Sequence, residues 1–207
     1  HRDLHSFPTR RSSDLGEQGT ESACPVCGEP RRGYLFVTHG LPVARCAGCD
    51  LLVLHPRPQP SEIMNYYRVH AKLQDPRLFS ADNATERDAA QRYIRALNNR
   101  GVNSGRMLLI APPAHIFADA ARSASFEVAR HVSILEAEGA DLGGAYDAIV
   151  ILYQLEKSNA PDRLLRTLRQ ALAPGGVLLL ACPSTESWPA RFFGTHWTEW
   201  RPENRFY

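Results

Sequence analysis

The chain reads GRMLLI over residues 105–110, APPAH over residues 111–115 and IFADAAR over residues 116–122. The first segment is a continuous apolar run typical of a buried strand, and the third has the pattern of a helix. A strand, a tight loop and a helix in this order form the arrangement that binds nucleotide cofactors in open α/β sheets. Such loops are rich in glycine, whereas this one contains Pro112 and Pro113 and no glycine.

Two further apolar runs extend the same pattern. Tyr146–Tyr153 predicts a strand buried on both faces, and Val177–Ala181 predicts the next one. Between them, Pro161–Leu172 predicts a helix with a leucine stripe, stopped by the Pro-Gly-Gly at 174–176. A strand, a helix and a strand of these lengths form a right-handed parallel crossover. We therefore expect an α/β fold with an incomplete, doubly wound, Rossmann-like sheet.

Four of the five cysteines form two CxxC pairs, Cys24 with Cys27 and Cys46 with Cys49. Their spacing fits the C-x2-C-x15–20-C-x2-C template of a structural zinc site, in which all four positions are ligands. Two disulfides or four free thiols are the alternatives, and disulfides require an oxidising compartment that nothing else in the sequence indicates. We predict a structural zinc ion held by all four cysteines.

The sequence divides into three structural segments. Residues 16–55 are predicted to form the zinc ribbon, with short strands at 34–38 and 51–54 and with permissive backbone at Gly28 and Gly48. A proline-rich linker and two helices are expected over residues 56–104, followed by the α/β domain over residues 105–207. The fifth cysteine, Cys182, follows an apolar run and is predicted to be a buried small residue rather than a nucleophile.

Residues 1–15 show no helical or strand period and resemble a translated sequencing adapter, so we expect an artefact there rather than an ordinary tail. The net charge of the chain is +2, which gives no basic field for nucleic acid. No apolar run approaches the length of a membrane span, so we expect no membrane partner and a cytoplasmic location.

The later half of the chain carries a recognisable series of motifs. YDAIV at 146–150, Leu155-Glu156, a leucine-rich helix and APGGV at 173–177 resemble class I S-adenosylmethionine-dependent methyltransferases. With the CxxC module and the tail PENRFY at 202–207, the resemblance extends over residues 24–207. It implies methyl transfer to a sugar or other small metabolite. It places three residues at cofactor-binding positions: Ala111, Pro113 and Tyr153.

Three features differ from the family pattern. Pro112 and Pro113 lack backbone N–H donors, and the strand predicted at 126–133 ends without the acidic residue that holds the ribose. Only forty residues separate Arg106 from Tyr146, so one strand–helix unit is predicted to be deleted. These features predict weak or absent cofactor binding. The alternative function is therefore an inactive methyltransferase-like protein that serves as a binding or partner subunit.

Three further expectations follow from single residues near these motifs. His115 is a candidate base, with a helix-capping or solvated residue as the favoured alternative. Glu156 is a candidate for orienting a substrate, with a solvated loop carboxylate as the favoured alternative. Because the family sheet continues beyond such a tail, we expect the chain to be cut short at Tyr207, with Val177–Ala181 at or near an open edge.

Overall fold

The computed structural model describes residues 23–38, 40–69, 83–112 and 115–207 of the 207-residue chain. The expectations for residues 1–15 and for Pro113 lie outside these described residues.

The N-terminal module is a three-stranded antiparallel sheet in the order β1-β2-β3. Its strands are β1 (Arg32–Thr38), β2 (Leu41–Cys46) and β3 (Leu52–Leu54). The strands β1 and β3 match the two that the sequence predicts, whereas β2 was not predicted. It forms the centre of the sheet, where Ala44 faces Tyr34 on one side and Val53 on the other.

Two helices connect the antiparallel sheet to the α/β domain. Helix α1 covers Pro60–Val69 and helix α2 covers Asn83–Asn98. The buried residues of α2 are Ala90, Ile94 and Leu97, which recur at helical spacing and face the sheet.

Four parallel strands form the second sheet, in the order β5-β4-β6-β7. They are β4 (Gly105–Ile110), β5 (Phe126–Val132), β6 (Tyr146–Leu152) and β7 (Leu172–Ala181). The expected Rossmann-like α/β fold is confirmed. Because β7 is at one end of this order, its apolar run lies at an edge of the described sheet, as expected.

Short helices connect the parallel strands. They are α3 (Phe117–Ser123), α4 (Ile134–Gly139) and α5 (Pro161–Ala171). In the continuous described stretch 115–207, α4 alone carries the chain from β5 across β4 to β6. This short connection is what the predicted deletion of a strand–helix unit requires.

The start of β7 differs from the expected turn at the Pro-Gly-Gly. Helix α5 ends at Ala171, one residue before the expected end, and the strand begins at Leu172. A side chain at Gly176 would place its Cβ 2.7 Å from the carbonyl oxygen of Tyr146. Gly176 therefore lies within β7 and permits its close approach to β6, rather than ending the helix.

Alternate residues of the central strands face two separate cores. Met107 and Leu109 of β4 pack with α2 and α3, whereas Leu108 and Ile110 pack with α4 and α5. A strand buried on both faces explains the continuous apolar run that predicts it. A third core joins the antiparallel sheet to the C-terminal segment, residues 183–207, which follows β7. None of the described helices is both long and apolar enough to cross a bilayer.

Candidate functional site

The first cysteine pair sits on a tight turn closed by two backbone hydrogen bonds. The N–H of Gly28 donates to the carbonyl of Cys24 at 3.0 Å, and the N–H of Cys24 donates to the carbonyl of Glu29 at 2.9 Å. Gly28 has a φ of 75°, in the left-handed region that favours glycine. The turn therefore uses the backbone freedom that the sequence predicts at Gly28.

The second pair repeats this turn. The N–H of Asp50 donates to the carbonyl of Cys46 at 3.2 Å, and the N–H of Cys46 donates to the carbonyl of Leu51 at 2.9 Å. Asp50, with a φ of 61°, takes the position that Gly28 has in the first turn. The expectation that Gly48 supplies the permissive backbone is wrong, because Asp50, a residue type that tolerates this region, carries the positive φ.

The two turns bring four sulfur atoms together. The Sγ atoms of Cys24 and Cys49 are 3.6 Å apart, those of Cys27 and Cys46 are 3.5 Å apart, and all four lie within 4.8 Å of one another. A tetrahedral ion with zinc–sulfur bonds of about 2.3 Å separates its sulfur ligands by about 3.8 Å. A disulfide requires about 2.05 Å, and all four cysteines are free. The cluster could hold a zinc ion.

Gly48 contributes to this cluster by being small. A Cβ there would lie 3.2 Å from Cys27 Sγ and 3.0 Å from Glu29 Cβ, so the two turns approach closely only with glycine. Its N–H points at Cys46 Sγ from 3.4 Å and lowers the pKa of that thiol to about 7. An N–H directed at sulfur stabilises the thiolate form, which is the form that binds metal.

The strand order of the parallel sheet locates a second site. The chain leaves β4 towards β5 on one side and returns to β6 on the other, so the order reverses between β4 and β6. Ligands of open α/β sheets bind outside the carboxyl ends of the strands at such a reversal. Ala111 and Tyr153 directly follow these two strands, so two of the three predicted cofactor positions lie there.

The backbone at this reversal is already hydrogen-bonded within the protein. The N–H of buried Ala111 donates to the carbonyl of Val132 at 3.1 Å, and His131 Nε2 donates to the carbonyl of Pro112 at 3.0 Å. Tyr153 has a φ of 53° and is exposed. At the end of β4, Ala111 therefore has its N–H already engaged and Pro112 has none to offer a ligand.

The side chain of Tyr93, on α2, lies across the point between β4 and β6 where the strand order reverses. The hydroxyls of Tyr93 and Tyr153 are 3.4 Å apart, and the Tyr93 ring meets the edge of Phe117 with centroids 6.1 Å apart. Burial raises the pKa of Tyr93, so its hydroxyl stays protonated and can donate. Tyr93 thus connects the start of α3 to the end of β6.

A cleft of about 570 Å³ opens beside Tyr153, between the ends of β6 and β7 and the C-terminal segment. The segment contains helix α6 (Trp188–Phe193) and a 3₁₀ turn at Gly194–His196. Phe193 and Trp197 supply apolar lining. The polar lining residues are Cys182, Ser184, Ser187, His196, Thr198 and Glu199. Sequence reasoning identified none of these as lining a site, because the segment resembled only a family tail.

The comparison with protein families agrees with this architecture. A family model described as a methyltransferase domain matches residues 49–207, more than three quarters of the chain. The chain belongs to this methyltransferase family. A methyltransferase domain implies S-adenosylmethionine as the general cofactor. No curated protein matches the chain.

In this methyltransferase domain, His115 caps a helix. Its Nδ1 accepts the N–H of Phe117 at 3.1 Å, as the capping alternative predicts. Burial lowers the pKa of His115, which favours the neutral ring that an accepting Nδ1 requires. The first N–H of α3 is thereby satisfied by the protein.

In this methyltransferase, the acidic residue nearest to the end of β5 along the chain is Glu136, in the first turn of α4. Ser133 and Glu136 form a capping box, in which the N–H of Ser133 donates to Glu136 Oε2 at 2.6 Å. These contacts lower the pKa of Glu136. The S-x-x-E pattern at 133–136, which is typical of a capping box, is the sequence signal that indicates this role of Glu136. The carboxylate lies at the strand end but is held by Ser133.

Two further residues of the methyltransferase domain lie near the cleft and differ from expectation. Cys182 was predicted to be buried, yet it is exposed, because β7 ends one residue earlier at Ala181. Surrounding protein and the charge of Glu156 raise its pKa to about 11, so the thiol stays protonated. Glu156 was favoured as a solvated carboxylate, yet it is only 3% exposed and its Oε2 has no hydrogen-bond partner.

Proposed function

We propose that the chain is an S-adenosylmethionine-dependent methyltransferase whose acceptor is a small polar molecule bound in the cleft beside Tyr153. The observation that carries the proposal is the position of the cleft. It opens where β6 and β7 end, and Tyr153 belongs both to the cleft and to the reversal of strand order. An acceptor in the cleft would thus lie next to a cofactor at the reversal.

The cleft offers the side chains that methyl transfer to a small molecule needs. S-Adenosylmethionine supplies an electrophilic methyl group, and Ala111, Pro113 and Tyr153 are the residues proposed to contact it. His196 and Glu199 line the cleft and can accept the proton that an acceptor hydroxyl or amine loses.

Glu156 is proposed to orient the acceptor. A buried polar atom without a partner costs free energy, so such atoms in native proteins call for an explanation. The carboxyl of Glu156 lies close enough to Glu199 and Cys182 for their charges to interact, and both of these residues line the cleft. Burial raises the pKa of Glu156. Glu156 does not itself line the cleft, so a hydroxyl or amine donor of the acceptor would satisfy its buried Oε2 by reaching beyond Glu199 and Cys182.

A second candidate is an inactive methyltransferase-like protein that binds a small molecule or a protein partner. The observation that favours it is that backbone N–H groups at the expected cofactor position are already hydrogen-bonded within the protein. Ala111 and Phe117 donate their N–H groups to Val132 and His115, and Pro112 has no N–H to offer. The affinity for S-adenosylmethionine is then low while the cleft remains.

Calorimetric titration with S-adenosylhomocysteine separates the two candidates. Binding in the micromolar range supports the enzyme, whereas absence of binding at millimolar ligand supports the inactive protein. The variant Tyr153→Ala should weaken any binding. Its matched control is Trp188→Ala, since Trp188 is 70% exposed and does not line the cleft.

We also propose that Cys24, Cys27, Cys46 and Cys49 hold one structural zinc ion. The near-tetrahedral sulfur spacing and the paired turns support this assignment. Because the protein supplies all four ligands, no position is open to substrate.

A further inference from the structure

The cleft has two walls that come from different parts of the fold. The inner wall contains Tyr153 and Cys182, which directly follow β6 and β7 of the parallel sheet. The outer wall contains Phe193, His196 and Trp197, which belong to the C-terminal segment. The shape of the cleft therefore depends on how the C-terminal segment is held against the sheet.

The outer wall packs on the N-terminal module, which carries the four clustered cysteines and is called the cysteine-bearing module below, rather than on the parallel sheet. Trp197 and Trp200 are 5% and 4% exposed and share one core with Leu41, Val43 and Leu54 of the antiparallel sheet. Neither core of the parallel sheet contains any of these residues. The wall and the parallel sheet thus have separate hydrophobic cores, and this division allows one to be lost without the other.

Hydrogen bonds reinforce this packing. The buried Thr38 hydroxyl at the end of β1 donates to the carbonyl of Thr195 at 2.6 Å, directly before His196. The C-terminal segment also pairs with β3, where the N–H of Tyr207 donates to the carbonyl of Leu52 at 2.8 Å. The antiparallel sheet therefore holds the C-terminal segment beside the wall, at Thr195, and again at its last residue, Tyr207.

The cysteine turns are continuous with the strands that make this core. Cys46 is the last residue of β2, which carries Leu41 and Val43, and Cys49 lies three residues before β3. A module of this size buries too little apolar surface to fold by packing alone and depends on a staple. In small metal modules, the free energy of metal binding is also the free energy of folding.

We propose that the cysteine-bearing module is a metal-dependent support for the outer wall of the cleft. When the metal is removed, Trp197 and Trp200 lose their shielding and the cleft opens, while the parallel sheet stays folded. Thr38 is a positioning residue in this support. The proposal rests on the proposed zinc site, but it does not depend on methyl transfer.

Tryptophan fluorescence tests the proposal directly, because the chain has three tryptophans and the third, Trp188, is exposed. The variant Trp188→Phe leaves only Trp197 and Trp200 as reporters. After chelation, with metal loss verified by elemental analysis, their emission should shift to the red. Quenching by acrylamide should rise towards that of N-acetyltryptophanamide. Amide hydrogen exchange should still show protection in β4 and β6.

A second pair of variants probes the support without touching the cysteines. In the Trp188→Phe background, Thr38→Val removes the hydroxyl that donates to Thr195 and should increase acrylamide quenching in the metal-loaded protein. Thr38→Ser keeps the hydroxyl and should restore the shielding.

Three results would overturn the proposal. The first is unchanged tryptophan shielding after verified metal loss, and the second is loss of protection in β4 and β6 in the same transition. The third is folded protein that contains no metal as purified. In the third case, the Thr38 pair still reports whether the module supports the wall, so an error in the zinc assignment is distinguishable from an error in the support.

Discussion

The Nδ1 atom of His115 accepts the backbone N–H of Phe117 across 3.1 Å, at the start of α3. In a glycine-rich loop, the N–H groups at this helix start would face a bound cofactor. Here the imidazole of His115, a residue of the same loop, accepts the first of these N–H groups. Because only an unprotonated Nδ1 can accept this N–H, protonation of His115 would break the hydrogen bond.

The variant His115→Ala should destabilise the protein by about 0.5–1.5 kcal/mol, the usual net contribution of one hydrogen bond. His115→Asn should lose less, since its side-chain oxygen can accept the same N–H. Urea unfolding at pH 7.5 measures both variants. Equal stability of the alanine variant and the wild type would show that the bond contributes nothing.

The contribution of His115 should also depend on pH. Burial lowers its folded-state pKa below the usual 6.5, so the unfolded chain binds more protons as pH falls through 6.5. The stability from this residue is thus complete above pH 6.5 and declines below it, until the folded-state pKa is passed. Melting temperatures between pH 5 and 8 should fall more steeply with acid in the wild type than in His115→Asn. Parallel curves would contradict this prediction.

Metal content should depend on the four clustered cysteines and not on the fifth. Cys46→Ser removes one of four sulfur ligands and should abolish stoichiometric zinc in elemental analysis of reduced protein. Cys182→Ser is the matched control, because Cys182 lies at the cleft, and it should retain one zinc per chain. Retention of zinc by Cys46→Ser would show that the ion binds elsewhere.

Restoring glycine at Pro112 and Pro113 should strengthen binding of S-adenosylhomocysteine. Each recovered backbone donor can contribute about 0.5–1.5 kcal/mol, which is about two- to tenfold in affinity. Calorimetry of the double variant against the wild type measures the gain. Pro174→Gly, an exposed proline at the start of β7, should leave the affinity unchanged. An unchanged affinity of the double variant would show that missing backbone N–H donors do not limit the binding of S-adenosylhomocysteine.

Glu156→Gln should flatten the dependence of stability on pH. Burial raises the folded-state pKa of Glu156 above its ordinary 4.5, so its stabilising contribution is complete below pH 4.5. That contribution is lost as pH rises through the folded-state pKa. The glutamine variant should therefore gain stability relative to the wild type between pH 5 and 8 in urea unfolding. A constant difference across this range would mean that Glu156 does not titrate abnormally.

Gly105→Ala should be strongly destabilising. Gly105 has a φ of 117°, and a Cβ there would meet the carboxylate of Asp147 that accepts the N–H of Arg106 at 2.7 Å. Alanine at positive φ costs more than about 1 kcal/mol even without a clash. Gly101→Ala, with a φ of 83° and open space around it, isolates that backbone cost. Chemical denaturation should show the larger loss at Gly105, and similar losses would argue against the clash.

Local patterns were sufficient to predict the central strands and the cysteine cluster. The apolar runs at 105–110 and 146–153 predict β4 and β6 almost to the residue, because strands buried on both faces must be continuously apolar. The paired CxxC spacing likewise predicts which sulfurs meet.

Contacts between distant segments could not be predicted in this way. Nothing local to Trp197 or Trp200 indicates that they pack on Leu41 and Val43, since residues far apart in the chain share that core. The cleft depends on the same long-range packing. The burial of Cys182 was wrongly predicted although its strand ends at Ala181 as expected, because an apolar run does not reveal whether the residue after it faces a core or a cleft.

The short α4 connection also changes the order in which distant parts of the chain can meet. Met107 pairs with Ala148, only 41 positions away, and Ala148 pairs with Val177, 29 positions away. Loop-closure entropy grows with the chain between contacts, and each doubling of that length costs about 0.6 kcal/mol. A domain without the missing strand–helix unit therefore reaches its central strand pairing through a lower contact order. Its refolding is expected to be modestly faster than that of a domain with a longer connection between the same strands.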